Sequence, residues 1–217
     1  MYRAVLLDVY GTLVRDDGAR EAEAASLVAG LAGVDPEVVA GEWSARLWAM
    51  ADDAHGADFR PLADLNLRSL NETATHFGVR VDARELFRQQ PHPPLFPDSL
   101  PFLAALDVPV CLVSDADRDS LAAVLNHHGI TVDGVVTSED ARAYKPRPEP
   151  FLLALRRLGL AASHVIHVGD SPECDVAGAG ALGIHTAFVR RDGRRLPAHL
   201  AATHTIESLT ALLPVFG

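Results

Sequence analysis

A chain of 217 residues has room for one core of ordinary size, or for a core with a small appended module. With 48% hydrophobic and 22% charged residues, no apolar run of bilayer length and no basic-then-apolar leader, it is expected to be a soluble protein of the cytoplasm without a membrane partner. A net charge of −10 argues against binding nucleic acid through its backbone, although an anionic small molecule in a locally positive cleft remains compatible with it. Cys111 and Cys174 form neither a CxxC motif nor a disulfide framework, which fits a reducing compartment. Of the 19 basic residues all but Lys145 are arginine, so the lone lysine suggests a place where a compact ammonium is needed instead of a planar fork.

The chain opens on Arg3-Ala4-Val5-Leu6-Leu7-Asp8-Val9-Tyr10-Gly11-Thr12-Leu13. A short apolar run ending in Asp and a Gly-Thr turn reads as a buried parallel strand that delivers Asp8 at its carboxyl end, where open α/β sheets bind ligands. From about Gly18 to Gln90 the spacing is helical. Helices are expected over Ala19–Leu31, over Pro36–Met50 behind an Asp35 cap, over Leu62–Phe77 up to Gly78, and over Asp82–Gln89. Trp43 and Trp48 are expected on the buried face of the second of these. Pro91-His92-Pro93-Pro94 then reads as a stiff linker.

Beyond Asp98 helices and strands alternate. Helices are expected at Ser99–Ala105, Asp117–His128, Glu149–Leu158 and Asp175–Leu182, strands at Pro109–Val113, Gly134–Thr137, His164–Val168 and Ile184–Val189, and a last strand and helix within His204–Leu213. Such alternation implies parallel pairing with right-handed crossovers. The fold class is therefore α/β, a three-layer α/β/α Rossmann-like core from residues 1–16 and 94–217, with a helical insertion at 17–93.

The strand ends carry polar groups. Asp8 closes the first strand and Ser114 the second, Asp170 follows His164–Val168, and Asp175 comes five residues later. Pro146 biases Lys145 to an extended conformation that lets its side chain run along the cleft. In order, the segments are Asp8-Val9-Tyr10-Gly11-Thr12-Leu13, Val113-Ser114-Asp115-Ala116, Lys145-Pro146 and Gly169-Asp170-Ser171-Pro172-Glu173-Cys174-Asp175. Together they resemble the four motifs of the haloacid dehalogenase (HAD) superfamily of hydrolases, and the helical insertion resembles that family's small α-helical, C1-type cap.

The resemblance implies that Asp8 attacks phosphorus to form an aspartyl-phosphate, with Mg2+ held by Asp8, Asp170 and the backbone carbonyl of Tyr10. Thr12 and Ser114 would bind the phosphoryl oxygens. Lys145 would neutralise charge at the nucleophile, and Asp175 would hold Lys145 or metal-bound water. It also implies a small-molecule substrate, here a phosphate ester, closed off from water and macromolecules by the cap, in a monomer or homodimer. His164 and His167, read as flanking a strand, have the wrong spacing for a metal pair. His127-His128 falls at a helix end, where a cationic imidazole suits the dipole.

One feature departs from the family's phosphatase pattern and another keeps to it. Tyr10 stands where those enzymes carry an acid-base Asp, and a Tyr there resembles the 2-haloacid dehalogenases, whose Asp displaces halide without metal. Gly169-Asp170 with Asp175 five residues on, in contrast, resembles the acidic pair of the Mg2+-dependent phosphatases, and a carboxylate facing Asp8 is costly without a cation between them. Arg20, Arg46 and Arg60 are positional candidates for a dehalogenase's carboxylate-binding arginine, with a solvated surface role favoured for each. The first reading is therefore a phosphatase and the second a dehalogenase. A third is a non-catalytic phosphate-binding module.

Tyr10 is a donor for a leaving oxygen but a poor base. Asp115 is a substitute base, although loop solvation is its favoured role. A phosphatase with Tyr10 at this place is expected to be slow and to favour good leaving groups, so Tyr10→Asp should raise turnover of an ordinary alkyl phosphate, measured as phosphate release; unchanged or lower turnover would remove Tyr10 as the reason.

Overall fold

The computed structural model describes residues 1–16, 18–87, 92–191 and 193–217. The chain divides into two compact units, one formed by Met1–Asp16 with His92–Gly217 and the other by Asp17–Pro91.

The first unit begins with β1 (Ala4–Leu7), all four residues buried. Its even and odd positions face opposite layers: Val5 and Leu7 join one apolar cluster, Ala4 and Leu6 another. A tight turn follows, in which the N–H groups of Thr12, Leu13 and Val14 all donate to the Val9 carbonyl. Gly11 has φ +82°, and a Cβ on it would stand 2.6 Å from the carboxylate oxygens of Asp170. Only glycine fits both demands. The chain then leaves the unit and returns beside its own exit. Arg15 N–H donates to the Pro94 carbonyl at 2.8 Å and Phe96 N–H to the Leu13 carbonyl at 3.0 Å, around an antiparallel Val14–Leu95 pair.

The excursion between these points holds the helical unit: α1 (Ala19–Ala32), α2 (Pro36–Asp53), α3 (Leu62–His76) and the short α4 (Ala83–Leu86). Asp35 caps α2 as expected, accepting from Glu37 N–H at 2.8 Å with Pro36 in the first turn. Small side chains on α1 (Ala24, Ala25, Val28) let it pack against Val39 and Trp43 of α2 and Leu70 and Ala74 of α3. The Trp43 indole N–H is satisfied by Ser69 Oγ at 2.9 Å. Trp48 is not on that face and is 47% exposed. Five residues along a helix is a rotation of about 140°, which takes it off the stripe that Trp43 occupies. α4 ends at Leu86, and the remainder of the expected helix, with the start of the proline cluster, falls at 88–91, outside the described residues.

The first unit resumes with α5 (Ser99–Ala105), β2 (Val110–Ser114), α6 (Arg118–His128), β3 (Gly134–Thr137), α7 (Ser138–Ala141), α8 (Pro148–Leu158) and β4 (Val165–Gly169). A π-helical turn at Pro172–Ala177 runs into α9 (Gly178–Gly180), followed by β5 (His185–Val189), β6 (His204–Ile206) and a closing 3-10 segment, Leu209–Val215. All strand pairs are parallel, in the order β3-β2-β1-β4-β5-β6. With helices on both sides the sheet forms the middle of an α/β/α sandwich, Phe102 and Phe151 filling opposite layers.

Three local expectations are corrected. The helix placed at Asp175 begins earlier, at Pro172, because Ser171 Oγ caps the turn by accepting from Cys174 N–H. The final helix is a 3-10 segment that carries Pro214, a residue with no N–H to give, inside it. α7 was not anticipated; its capping box joins Thr137 and Asp140 across one turn. Among the described residues no single helix is long and apolar enough to cross a membrane.

A buried ion pair ties the two ends of this unit together. Arg191, 8% exposed, donates from Nη2 to Asp98 Oδ1 at 2.9 Å and from Nη1 to Oδ2 at 3.1 Å. Its Nη2 also reaches the Thr12 carbonyl at 2.9 Å, and its guanidinium lies 3.9 Å from the Phe96 ring centre. Asp98 further accepts from Ser208 Oγ and Leu209 N–H. Burial alone would raise the Asp98 carboxyl, but these donors hold it below its ordinary value. A depressed folded value contributes stability above the unfolded carboxylate range and loses it as pH falls through the folded value. Asp98→Asn should therefore cost about 2–3 kcal/mol in urea unfolding at pH 7, with the gap to the unsubstituted protein closing below about pH 4.

Candidate active site

β1 lies between β2 and β4, so the sheet order reverses at its carboxyl end and opens a crevice there. Asp8 follows β1 and is anchored by its N–H to the Val168 carbonyl at 2.9 Å. Ser114 is the last residue of β2, and Asp170 directly follows β4. The structure brings all of these to one edge, together with Thr12, Lys145 and Asp175.

Lys145 is at the centre, 4% exposed and behind a cis peptide bond to Pro146. Its ammonium donates to Asp8 Oδ1 at 2.7 Å and to Asp175 Oδ1 at 2.6 Å. Its backbone N–H donates to Asp115 Oδ1 at 2.8 Å. Burial works against the charged form, yet Asp175 and Asp8 hold the ammonium well above its ordinary pKa. Asp175 has both oxygens engaged: Oδ1 by Lys145 and by His167 Nε2 at 2.9 Å, Oδ2 by Ser171 N–H at 2.9 Å. Although burial opposes it, Lys145 and His167 keep its carboxyl well below the usual range. The close fit needs Gly169, where a Cβ would lie 2.2 Å from the Asp175 carboxylate.

The other carboxylates are less well paired. Asp8 is pushed up by burial, with Lys145 opposing, and its Oδ2 is buried with no hydrogen-bond partner among the described residues. Burial, then Asp8 and Asp175, push Asp170 up to about 7. It accepts from Thr12 Oγ1 at 3.4 Å and from the half-exposed Arg194 at 2.5 Å. Oxygens of Asp8, Asp170 and Asp175 lie within 4.8 Å of one another, a geometry that suits a hard divalent cation. Of the three carboxylates, Asp170 is the one that Lys145 does not reach, and Asp8 keeps Oδ2 without a partner among the described residues.

Ser114 Oγ accepts from Ala116 N–H at 3.4 Å, and Tyr10 is half-buried. Burial, with Asp16, Asp8 and Asp117 nearby, pushes the Tyr10 hydroxyl up to about 12. Asp115 departs from the solvated loop role favoured for it. It is half-buried against the Lys145 backbone, and burial raises it to about 7. Arg20 and Arg46 are engaged within the helical unit, on the Leu86 carbonyl and Thr73 Oγ1.

Two residues of the site escaped the sequence. His167 is inside β4, not beside it, and the signal was there to read: one polar residue in the fully buried run Val165-Ile166-His167-Val168. Arg194 belongs to an aperiodic arginine-rich loop, where no pattern distinguishes it from its neighbours.

A family model described as haloacid dehalogenase-like hydrolase matches residues 2–183. The chain belongs to that family. This HAD-like hydrolase is 32% identical over 131 residues to a ribulose-1,5-bisphosphate 5-phosphatase of Halopiger xanaduensis, covering 54% of the chain and 55% of that protein. It is 26% identical over 225 residues to an (S)-2-haloacid dehalogenase of Burkholderia cepacia, covering 99% and 95%. It shares the fold of the L-2-haloacid dehalogenase of Xanthobacter autotrophicus, with a TM-score of 0.78 at 20% identity over 99% of the chain and 98% of that structure. The curated relatives that it matches at more than 30% identity are spanned over about half their length or less. Phosphatases and dehalogenases thus both stand among the relatives of this hydrolase.

Because the Lys145 ammonium is the cation that touches both Asp8 and Asp175, its removal leaves buried carboxylates without compensation. Lys145→Met should lower stability by about 3–5 kcal/mol in urea unfolding carried out in chelator.

Proposed function

We propose that this hydrolase is a Mg2+-dependent phosphatase of a small phosphorylated metabolite, acting through an aspartyl-phosphate on Asp8. One observation carries the reading: Asp170 stands against Asp8 in a buried acidic cluster whose fixed cation, Lys145, is already shared with Asp175. A substrate carboxylate would meet two repelling groups there, whereas a phosphoryl group arriving with a divalent cation would not. Asp170, the Tyr10 carbonyl and Asp8 through Oδ1, the oxygen that Lys145 also holds, would hold Mg2+, which supplies charge neutralisation at the phosphoryl oxygens.

The residues of the chain divide the remaining work. Lys145 holds Asp8 Oδ1 and leaves Oδ2 as the attacking atom. As Oδ2 bonds to phosphorus, the bond from phosphorus to the leaving oxygen breaks and that oxygen takes the Tyr10 proton. Thr12 and Ser114 orient the phosphoryl oxygens. Water then attacks phosphorus, giving its proton to Asp115, and inorganic phosphate leaves with Asp8 restored; Asp115 releases that proton and Tyr10 takes one up through solvent, which closes the cycle. A carboxyl raised to about 7 is suited to that transfer at neutral pH. Asp175 positions Lys145, since both its oxygens are occupied. The partner in this reading is a small molecule, and the net charge of −10 argues against nucleic acid in its place.

The second reading is metal-free 2-haloacid hydrolysis by Asp8. Tyr10 favours it, as does the pairing of Asp170 with Arg194, which neutralises that carboxylate without a metal. The deciding experiment is hydrolysis of an aryl phosphate with Mg2+, with chelator, and with Asp8→Asn. Activity that needs both Mg2+ and Asp8 is the expected result. Silence on phosphate esters with halide release from 2-haloacids in chelator would replace it by the second reading. Silence in both assays would leave a phosphate-binding module.

A further inference from the structure

His167 takes no part in the chemistry above, yet the site is built around it. It is fully buried in β4, where Leu6 of β1 and Thr186 of β5 flank it in register. Phe151 packs edge-on at 5.0 Å between ring centres. Nε2 lies 2.9 Å from Asp175 Oδ1, and Nδ1 is buried with no partner among the described residues. That asymmetry assigns the ring proton to Nε2, because a proton on Nδ1 would be buried without an acceptor while Asp175 lost its donor.

The result is a line of contacts: His167 Nε2–H to Asp175 Oδ1, Lys145 ammonium to the same oxygen, and Lys145 ammonium to Asp8 Oδ1. Ser171 N–H fixes Oδ2, so two donors from different segments stop the Asp175 carboxylate from rotating. We propose that His167 is a positioning residue: by locking Asp175 it holds the Lys145 ammonium on Asp8 Oδ1 and so decides which oxygen of Asp8 is left to attack. Without this donor, Oδ1 of Asp175 would have Lys145 alone, and the ammonium would exchange among Asp8, Asp175 and water.

The inference rests on the catalytic reading only for its kinetic arm. Since Lys145 is the single lysine of the chain, 15N-lysine labelling marks one ammonium, and a held, buried ammonium gives a resonance that an exchanging one does not. The variants are His167→Gln, whose amide can present N–H near the Nε2 position, and His167→Asn, whose amide reaches only the Nδ1 position. The Lys145 ammonium signal should persist in the unsubstituted protein and in His167→Gln and vanish in His167→Asn. In parallel kcat should fall about 10- to 100-fold in His167→Asn, with KM within about twofold and substantial recovery in His167→Gln. Equal signals in the three proteins, or equal loss in Gln and Asn, would overturn the proposal. Absence of turnover in the unsubstituted protein would instead count against the catalytic reading, with the ammonium signal still deciding the role of His167.

Discussion

The structure depends on one buried ammonium. Three carboxylates, from the ends of β1 and β4 and from the turn after β4, meet in a space with little water. Such a cluster is tolerable only if charge is compensated inside it. Lys145 provides that compensation from a segment distant in sequence, reaching Asp8 and Asp175 with one group. A compact ammonium can bond two carboxylates lying in different planes, whereas a guanidinium fork is matched to one. This accounts for a lone lysine in a chain that otherwise uses arginine. The surroundings follow from it: Gly169 lets Asp175 approach, Gly11 makes room for Asp170, and Asp115 fixes the lysine backbone.

Compensation is incomplete, and the incompleteness is informative. Lys145 serves Asp8 and Asp175, while Arg194 serves Asp170 from a half-exposed loop. Asp170 and Asp115 accordingly rise to about 7, close to taking protons at neutral pH. The charge deficit is concentrated beside Asp8 Oδ2, where a divalent cation with an anionic group on it would restore balance. Arg191 acts farther out and in another way, joining the turn after β1 to α5 and the carboxyl-terminal segment with no direct contact to Asp8. One cation pairs the buried carboxylates and the other holds the turn beside them.

What could be read from the sequence was whatever repeats along it or terminates a repeat. Strands β1, β2 and β4 are short buried apolar runs, and the polar residues that close them interrupt a strong pattern, so Asp8, Ser114 and Asp170 could be placed together, with Lys145 brought to the same edge by the extended bias that Pro146 imposes. The environment of each group was not legible, because it is set by residues far away in the chain. Asp115 looked like a loop carboxylate until the Lys145 N–H came back to it from thirty positions on. Trp48 looked like Trp43 until the helix turned it outward. His167 stood in an apolar run, but its partner Asp175 could not be identified before the π-helical turn was known. Arg194 had no period to give it away.

The place where the helical unit is inserted has a consequence of its own. The outgoing and returning strands are neighbours at Val14 and Leu95, tied by Arg15 to Pro94 and by Phe96 to Leu13, with Ser99 Oγ adding a bond to the Leu13 carbonyl at 2.7 Å. The sheet therefore experiences the inserted segment as a pair of anchored ends about 5 Å apart, whatever lies between them. Loop closure costs rise only slowly with length, so long and short insertions load this splice almost equally. The design is modular: the segment between Arg15 and Pro94 could be exchanged without altering the strands to which its ends are tied.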